Sequence, residues 1–561
     1  MSSHAVDVPY AQETWTTEEA DVLRRYFTNL EGPVFALVNL PDVVKGALFA
    51  RYSRSAKSLR RLFLDEFVGD LEMSGDHGVD ATVGLARAEQ LYDRVFFEYG
   101  DDSVAQLGGV HLACEQASNL LTKVLERGRL MSYMEKSTRY VAYDTRLPSG
   151  RYRYYRCPEI LASPLGARYV GDMDRMFDSY RQLLPELYDY FSQRHPKAAG
   201  DSDFAHRQAL KAKAFDTVRG LLPSAATSNL GIYGSGQAFE GLLLRMRAHP
   251  LPEAREYSDL MLTELRKVIP SWVRRVDVAD RGRAWSQYME KNDAAMAELV
   301  GGLFGPDRAG GAGGAALSTT AGPEVALVDW DPQAEVKVVT AMLYPYSHLS
   351  EEDIASRVEA MPLSQRLEVM AKYAGERLNR RHRPGRALER CTYRFDVISD
   401  YGAFRDLQRH RLLTIEWQGL TPYHGYTMPG AVTAAGGAQA YEEVMSRSAT
   451  LYEALGEYFG PTVAAYAVTL AHRVRYSVQL NARAAMHMLE LRTTPQGHPE
   501  YRDVCQQMHR LIADKAGHGA LAEMMRFVDH SAPEDEPEHS LGRLQAERRA
   551  EARRQSSARQ V

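Results

Sequence analysis

The sequence lacks the features that mark secreted and metal-binding proteins. Its 561 residues include four cysteines, Cys114, Cys157, Cys391 and Cys505, and these form no C-x-x-C pair. Such spacing indicates reduced thiols in the core or at the surface, and it argues against a disulfide framework or a zinc site. The histidines at positions 410, 424, 472, 487 and 498 lack H-x-x-x-H spacing, so we expect no metal site.

Long apolar runs and a strong excess of one charge are also missing. No stretch approaches the roughly 18 apolar residues that cross a bilayer, and the first residues show no basic segment followed by an apolar run. We therefore expect a cytoplasmic protein that does not enter a membrane. The formal net charge of −5 argues against a basic surface for nonspecific binding of nucleic acid.

What is present is an ordinary globular composition, with 45% hydrophobic and 25% charged residues. A chain of this length suggests at least two domains. Residues 301–323 contain a run rich in Gly and Ala that is too poor in large apolar groups to pack, which predicts a flexible linker. We expect a first domain over residues 1–300 and a second over 324–529, followed by a disordered, mixed-charge tail over 530–561.

Helical periodicity dominates both predicted domains. Apolar residues recur at helical spacing in six segments, at about 83–99, 103–127, 166–195, 202–222, 252–269 and 350–379. Strand-like runs are few, and they lie at 139–143, 152–155, 324–328 and 392–399. The pattern therefore predicts a helix-rich protein with a small amount of sheet.

Two Arg-rich stretches look like copies of one loop that follows an amphipathic helix. The first is Arg127-Gly-Arg-Leu-Met-Ser-Tyr-Met-Glu-Lys-Ser-Thr-Arg-Tyr140, and the second is Arg409-His-Arg-Leu-Leu-Thr-Ile-Glu-Trp417. Clustered guanidinium groups suit phosphate or an electron-rich ring carbonyl, which favours an anion or cofactor clamp. A solvated helix end, where the helix dipole favours cations, is the alternative that the residues alone leave open.

A later polar segment, residues 479–492, carries ionisable groups on two faces of a predicted helix. Asn481 and Arg492 fall on one side, and three further residues fall almost opposite, namely Arg483, His487 and Glu490. This suits a helix wedged between two polar sites or between subunits, but a salt-bridged core helix would look the same. The basic run 380–386 is interpreted as a solvated turn or as a contact for a phosphate or a folate tail.

Taken in order, these motifs resemble the flavin-dependent thymidylate synthase family, whose signature is R-H-R-x-x-S-x-N-x-x-S-x-R-Y. The first stretch keeps Arg127, Arg129, Ser132, Glu135, Ser137, Arg139 and Tyr140, but it has Gly128 and Met134 where the family has His and Asn. The second keeps Arg409, His410, Arg411 and a chemically similar Thr414, and then departs. The resemblance covers most of residues 34–275 and 335–515.

Motifs outside the two loops match the same family. The family's N-A-R-x-x-x-H-x-x-x-L-R helix is matched by Asn481, Arg483, His487, Leu491 and Arg492. Residues 100–106 resemble its G-H-x-S-x-x-E-H segment, with Asp101 in place of the His. In the second copy Glu389 lies at the spacing of the Glu, and Pro384 stands where the His belongs.

The resemblance implies an α+β protein with two copies of the flavin-dependent thymidylate synthase fold, in which helices pack on a small antiparallel sheet. It implies transfer of a one-carbon unit from methylenetetrahydrofolate to C5 of deoxyuridylate, with FAD as cofactor and NADPH as reductant and without a protein nucleophile. The family forms homotetramers with shared active sites, so a tandem chain implies a homodimer.

The residue matches divide unequally between the halves. FAD contacts would come from Glu389, Arg409, His410, Arg411, Thr414, Asn481, Arg483 and His487. The pyrimidine nucleotide would be bound by Glu135, Ser137, Thr138, Arg139, Arg219 and Arg492. The first half has thus kept the nucleotide loop and the second the flavin residues, so we expect a composite site that needs both.

Three other interpretations stay open. In the first, the protein is a catalytically inactive relative that binds flavin or nucleotide, and the loss of the folate-side His at Asp101 and Pro384 favours this interpretation. In the second, it is a flavoenzyme that modifies a different pyrimidine nucleotide or adds a hydroxymethyl group. In the third, the Arg clusters are structural ion pairs and no nucleotide binds.

Overall fold

The structure, a computed structural model, describes residues 13–66, 68 and 106–531, apart from gaps at 32–34, 36, 43, 46–47, 50–56, 107, 140, 198–201 and 305–322. Several predictions concern other residues. The helical segment 83–99, Asp101, Tyr140, most of the linker and nearly all of the charged tail lie outside the described residues.

Helices make up most of the described chain. They span Thr17–Tyr26, Leu59–Glu66, Asn119–Leu125, Pro158–Leu161, Gly166–Arg194, Asp203–Val218, Gly236–Ala248, Pro252–Val268, Ala284–Phe304, Ala334–Leu343, Glu351–Ala360, Leu363–Ala374, Tyr401–Leu407, Gly430–Ala434, Ala438–Phe459, Pro461–Ala464, Ala482–Arg492, Pro499–Asp514 and Gly519–Met524. Short 3₁₀ helices lie at Arg219–Leu221, Pro270–Asp277, Tyr344–Tyr346, Arg386–Arg390, Pro422–His424 and Ala465–Ala467, and a π-helical turn at Ala279–Arg283. Within the described residues, no helix has the length and apolarity to cross a membrane.

The second half contains a four-stranded antiparallel sheet. Its strands are β4 (Glu324–Trp330), β5 (Thr392–Asp400), β6 (Leu413–Trp417) and β7 (Arg473–Asn481), in the order β4-β5-β7-β6. Alternate residues of β7 point into the core, as the period of two in a half-buried strand requires. The predicted strands at 324–328 and 392–399 are confirmed.

The first half repeats the centre of this sheet. Strands β1 (Gly109–Ser118), β2 (Met131–Glu135) and β3 (Thr227–Ser235) pair in the order β1-β3-β2, as β5, β7 and β6 do. In both halves a strand ends at a residue that caps a seven-residue helix, Ser118 in one and Asp400 in the other. Each Arg-rich loop follows that helix and precedes the short edge strand. The predicted fold class, helix-rich α+β with two copies of one fold, is confirmed.

Most of the long helical predictions are confirmed, but three local predictions are wrong. The segments at 166–195, 202–222 and 252–269 contain the expected helices, and 350–379 contains two helices separated at Pro362. The sequence predicts a helix over 103–127, yet residues 109–118 form β1, and among the described residues of this segment the α-helix is confined to Asn119–Leu125. Where a strand is predicted at 139–143, the described residues form a turn. Where one is predicted at 152–155, the chain forms a single bridge, from Tyr154 to Ala226.

The chain forms two compact units. The first comprises residues 1–114, 130–134 and 231–299, and the second comprises residues 115–129, 135–230 and 300–561. The second unit therefore includes parts of both sequence halves. The last four residues of the helix Ala284–Phe304 fall within the predicted linker, and the predicted domain boundaries stay a prediction.

Within the second unit the two halves pair through equivalent segments. Pro223 forms an isolated antiparallel bridge with Thr469. On either side of it, Ser224 N donates to Val468 O at 2.8 Å and Leu470 N donates to Leu222 O at 2.9 Å. Because these residues are buried, the contact satisfies backbone groups that water cannot reach.

Candidate functional site

The end of β2 places a buried carboxylate against cations from both halves. Glu135, whose side chain is 0% exposed, lies 2.6 Å from Arg405 and 2.6 Å from Arg409 through separate oxygens, and 3.5 Å from Lys123. Burial alone would raise the pKa of Glu135, but Arg405, Lys123 and Arg409 outweigh it and hold that pKa below its usual range. Glu135 of the first Arg-rich loop is thus joined by ion pairs to Arg405 and Arg409 of the second half.

A second buried carboxylate, Asp406, is shared by three arginines. Its oxygens lie 3.4 Å from Arg409, 3.7 Å from Arg492 and 3.8 Å from Arg219. Burial would raise the pKa of Asp406, but the three guanidinium groups lower it below its usual range. Three predicted ligand-binding arginines therefore converge on one point.

A chain of alternating charges continues from Arg139. Its Nε lies 2.9 Å from Asp216, and Asp216 lies 3.0 Å from His498, whose other ring nitrogen is 3.5 Å from Asp400. Burial opposes the charged form of Asp216, but Arg139, His498 and Arg219 lower its pKa below the usual range. Asp216 is thus held ionised by the cations around it.

The first Arg-rich loop is held by local and long-range hydrogen bonds. Ser137 Oγ accepts from the backbone N of Arg139 at 3.2 Å, and Thr138 is buried. The Arg139 guanidinium donates to Gln496 O at 2.8 Å and to the Tyr501 hydroxyl at 3.3 Å. Because Gln496 and Tyr501 follow the helix Ala482–Arg492, the loop and that helix are held together.

His410 and His487, both predicted to contact flavin, lie beside each other. Their ring centroids are 5.5 Å apart, and His410 Nε2 lies 2.9 Å from Arg492 Nε, which donates to it. Burial and Arg492 hold the pKa of His410 well below its usual value, and burial, Arg383 and Arg380 lower the pKa of His487 to about 4. Both imidazoles are therefore neutral at physiological pH.

The remaining residues of the N-A-R helix motif have distinct positions. Asn481 caps the helix Ala482–Arg492, since its Oδ1 accepts from Ala484 N at 2.8 Å. Arg483 donates to Glu389 at 3.3 Å and to Pro384 O at 3.1 Å. Glu389, Asn481 and Arg483 thus gather at the start of this helix.

Arg411 and Thr414 lie in the exposed part of the second loop. Thr414 Oγ1 accepts from Arg129 at 3.0 Å. Beside it Arg127 forms an ion pair with Glu416 at 3.0 Å. These residues surround a small cavity of about 90 Å³. The two arginines that begin the first Arg-rich loop therefore contact the edge strand of the second half.

The helix Ala482–Arg492 is polar on two faces for two different reasons. On one face Glu490 forms a buried, bidentate ion pair with Arg377, at 2.7 and 2.6 Å. On the other, Arg492 reaches His410 and Asp406. The helix thus forms a salt bridge in the core through Glu490 and contacts the candidate site through Arg492.

Several residues of the site were missed by the sequence analysis. They are Lys123, Glu126, Asp216, Asp400, Arg405, Asp406, His498 and Glu500. Arg405 and Asp406 lie four and three residues before Arg409, and Asp216 lies three before Arg219, so all share a helical face with a predicted residue. That spacing was the available signal. His498 and Glu500 offered none, because their partners are distant in sequence.

A cavity borders this site. It has a volume of about 750 Å³ and is lined by Asp216, Arg219, His498, Asp400 and Glu500 among others. Burial and Asp400 raise the pKa of Glu500 to about 7. Within the described residues, no group of His, Cys, Asp and Glu is arranged to bind a metal ion.

A strand, a helix, an Arg-rich loop and an edge strand occur in the same order in both halves, and arginines lie where the two copies meet. This repetition defines a tandem protein. The chain belongs to the thymidylate synthase complementing protein family, whose family model matches residues 50–271 and 326–516. The predicted tandem membership is confirmed.

Two relatives extend over nearly the whole chain. The UPF0159 protein of Chlamydia pneumoniae is 38% identical over 547 residues, which cover 96% of this chain and 99% of the relative. The UPF0159 protein of Thermoplasma acidophilum is 30% identical over 529 residues, covering 90% and 97%. A solved structure, the UMP/dUMP methylase PolB of Streptomyces cacaoi bound with 5-Br dUMP, aligns with 38% of this chain and 100% of its own, at 18% identity and a TM-score of 0.31. That overlap is too weak to support an inference.

Proposed function

We propose that the protein transfers a one-carbon unit to C5 of a pyrimidine nucleotide, deoxyuridylate in the first instance, at a composite site between its two halves. The observation that supports this is the contact of Glu135 with Arg409 at 2.6 Å. It joins the loop that resembles the family's nucleotide loop to the loop that resembles its flavin clamp. Family membership supports the reaction class.

On the nucleotide side, Ser137, Thr138, Arg139, Arg219 and Arg492 would bind the phosphate and the base. Arginine suits this task because its planar fork forms two parallel hydrogen bonds to a phosphate. The carboxylates of Asp216 and Asp406 form ion pairs with these arginines. Binding would exchange part of these internal ion pairs for contacts with the phosphate.

On the flavin side, the described residues fit FAD by their charge. Arg380, Arg383 and Arg492 lower the pKa of His487, so cations outweigh anions around that ring. A surplus of positive charge suits the FAD pyrophosphate. Bound FAD would supply the reducing electrons that turn the transferred carbon into a methyl group.

The chain's own part is to bind and orient that cofactor. Arg409, Arg411 and Arg483 would bind its anionic groups, and Asn481, Glu389, His410, Thr414 and His487 would line its other contacts. The two imidazoles are neutral, so each offers one donor and one acceptor without adding charge. NADPH and methylenetetrahydrofolate are the proposed co-substrates, and two chains would assemble in place of a tetramer of single domains.

A second candidate, an inactive relative that still binds flavin or nucleotide, is favoured by one observation. At the position of the family's folate-side His, Pro384 offers a backbone carbonyl, and Arg483 already donates to it at 3.1 Å. The corresponding first-half position, Asp101, lies outside the described residues.

The proposed function is tested by cofactor release and turnover in one preparation. We expect purified protein to be yellow, to release FAD on denaturation, and to release tritium from C5-labelled deoxyuridylate with NADPH and methylenetetrahydrofolate. Arg394→Ala, which removes an exposed sheet residue paired with Asp329 at 3.4 Å, should change neither result. Flavin without tritium release favours the inactive relative, unless labelled uridylate or deoxycytidylate turns over. Protein without flavin overturns the proposal.

A further inference from the structure

The cavity of about 750 Å³ is lined in part by cationic and polar residues that have no role in the proposed function. Arg194 and His195 at the end of the helix Gly166–Arg194, and Lys213 from the helix Asp203–Val218, line it. Asp400 and Glu500 line another part of the same cavity. The volume falls in the usual range for small-molecule sites, roughly 300–1,000 Å³.

His195 is the unusual member of the cationic wall. It is 5% exposed, and among the described residues neither of its ring nitrogens has a hydrogen-bond partner. Burial, Lys213 and Arg194 lower the pKa of His195 to about 4, so the ring is neutral and keeps one N–H to donate. A buried polar group without a partner is unfavourable, and an acceptor inside the cavity would remove that cost.

The other wall offers acceptors. Glu500 Oε1 accepts from Thr427 Oγ1 at 3.3 Å and from Asp400 N at 3.4 Å, while Asp400 faces His498 at 3.5 Å. The remaining carboxyl oxygens of Asp400 and Glu500 can accept hydrogen bonds from N–H groups of a ligand. Apolar and aromatic side chains, Phe191, Met428 and Tyr441 among them, also line the cavity.

We propose that this cavity is a second ligand site for an elongated organic anion that carries N–H donors at its far end. Its phosphate or carboxylate group binds to Arg194, His195 and Lys213, and its N–H groups bind to Asp400 and Glu500. The apolar lining contacts the body of the ligand. Of the residues assigned to flavin or the nucleotide, Arg219 alone also lines this cavity, so the site stands independently of the proposed reaction.

The test uses two probes with the required shape and different anionic ends. Adenosine 5′-monophosphate carries a phosphate and an exocyclic amine, and 4-aminohippurate carries a carboxylate and an aromatic amine. Isothermal titration of the full-length protein should show binding of at least one of them with a Kd below roughly 1 mM. The probe that binds identifies the anionic group.

Matched variants connect that binding to the cavity. Lys213→Met and His195→Gln should each weaken binding roughly tenfold or more. Lys211→Met, on an exposed position of the same helix, should leave it unchanged. Arg411→Ala, which reports on flavin, should also leave it unchanged, so a failure of the proposed function is distinguishable from a failure of this site.

Binding of neither probe overturns the inference. So does binding that Lys213→Met and His195→Gln leave intact, provided that both variants keep the wild-type circular dichroism spectrum and unfolding midpoint. If one of the two variants does not fold, the other decides.

Discussion

At the scale of single residues, carboxylates determine what the arginines do. Asp216 and Asp406 are each shared by several guanidinium groups, and Glu135 lies between Arg405 and Arg409. Buried ion pairs of this kind gain little net stability, since desolvation offsets their attraction. The ion pairs hold the arginine side chains in fixed positions. A ligand that binds these arginines would have to compete with the carboxylates.

The sequence revealed the arginines but not their partners. Arg409, Arg411 and Arg139 are recognisable because a family motif fixes their order. The acids are recognisable only through helical spacing, as for Asp216 and Arg219, or through tertiary contact, as for His498 and Asp216 at 3.0 Å. Several arginines that the sequence assigns to ligands therefore also form internal salt bridges.

Glu500 provides a pH prediction. Its folded pKa of about 7 exceeds the ordinary value of about 4.3, so between these limits the unfolded chain releases a proton that the folded chain retains. Stability contributed by the protonated group is complete below the ordinary pKa and is lost as pH rises through the folded pKa. The raised pKa of His498, which Asp216 supports against burial, acts in the same direction.

We expect Glu500→Gln to reduce this loss, because an amide does not ionise. From pH 4.5 to 7.5, the free energy of unfolding of the wild type should fall relative to that of the variant by up to about 3 kcal/mol. Urea unfolding at both pH values measures the difference. Glu523→Gln, at an exposed position, is the control. Parallel pH dependence of wild type and Glu500→Gln would contradict the assignment.

At the scale of secondary structure, the regular spacing of apolar residues predicted most of the helices and strands. The long helices and the strands β4 and β5 follow from apolar periodicity. The failure at β1 has a clear cause. Its buried positions Val110, Cys114, Ala117 and Ser118 have the spacing of a helix face, because Gln116 adopts a positive φ of 58° and interrupts the alternation expected of a strand.

The cap of the helix Ala482–Arg492 allows its structural and binding roles to be separated. Asn481→Ala removes the cap and should cost about 1 kcal/mol as well as flavin affinity. Asn481→Asp keeps a capping oxygen and adds a charge that the helix N-terminus favours. That variant should keep the stability but lose flavin, because its charge repels the pyrophosphate.

The repeat supplies the control. Ser235 caps the equivalent helix of the first half, where its Oγ accepts from Ala238 N at 3.3 Å. Ser235→Ala should lose stability and keep flavin. Thermal unfolding and flavin absorbance measure the two effects, and full flavin retention in Asn481→Asp would argue against a role for Asn481 in cofactor binding.

At the scale of the whole molecule, the described residues of the first half repeat the centre of the second-half sheet, but the two halves differ in their motif residues. Equivalent segments meet at Pro223 and Thr469, which brings the first-half loop to the second-half clamp. The arginines of the first Arg-rich loop also contact the second half. Arg127 forms an ion pair with Glu416 at 3.0 Å, and Arg129 donates to Thr414 at 3.0 Å. The division between halves could be inferred from motif losses, whereas their contact required the fold.

The division of labour is tested most directly by measuring both ligands in two variants, Arg139→Ala and Arg411→Ala. Flavin is measured by absorbance, and deoxyuridylate by isothermal titration, with Arg394→Ala as the folded control. Arg411→Ala should lose flavin absorbance, whereas Arg139→Ala should keep flavin and weaken nucleotide binding by roughly tenfold or more. Loss of both ligands in both variants, or of neither in either, would contradict a site composed of one loop from each half.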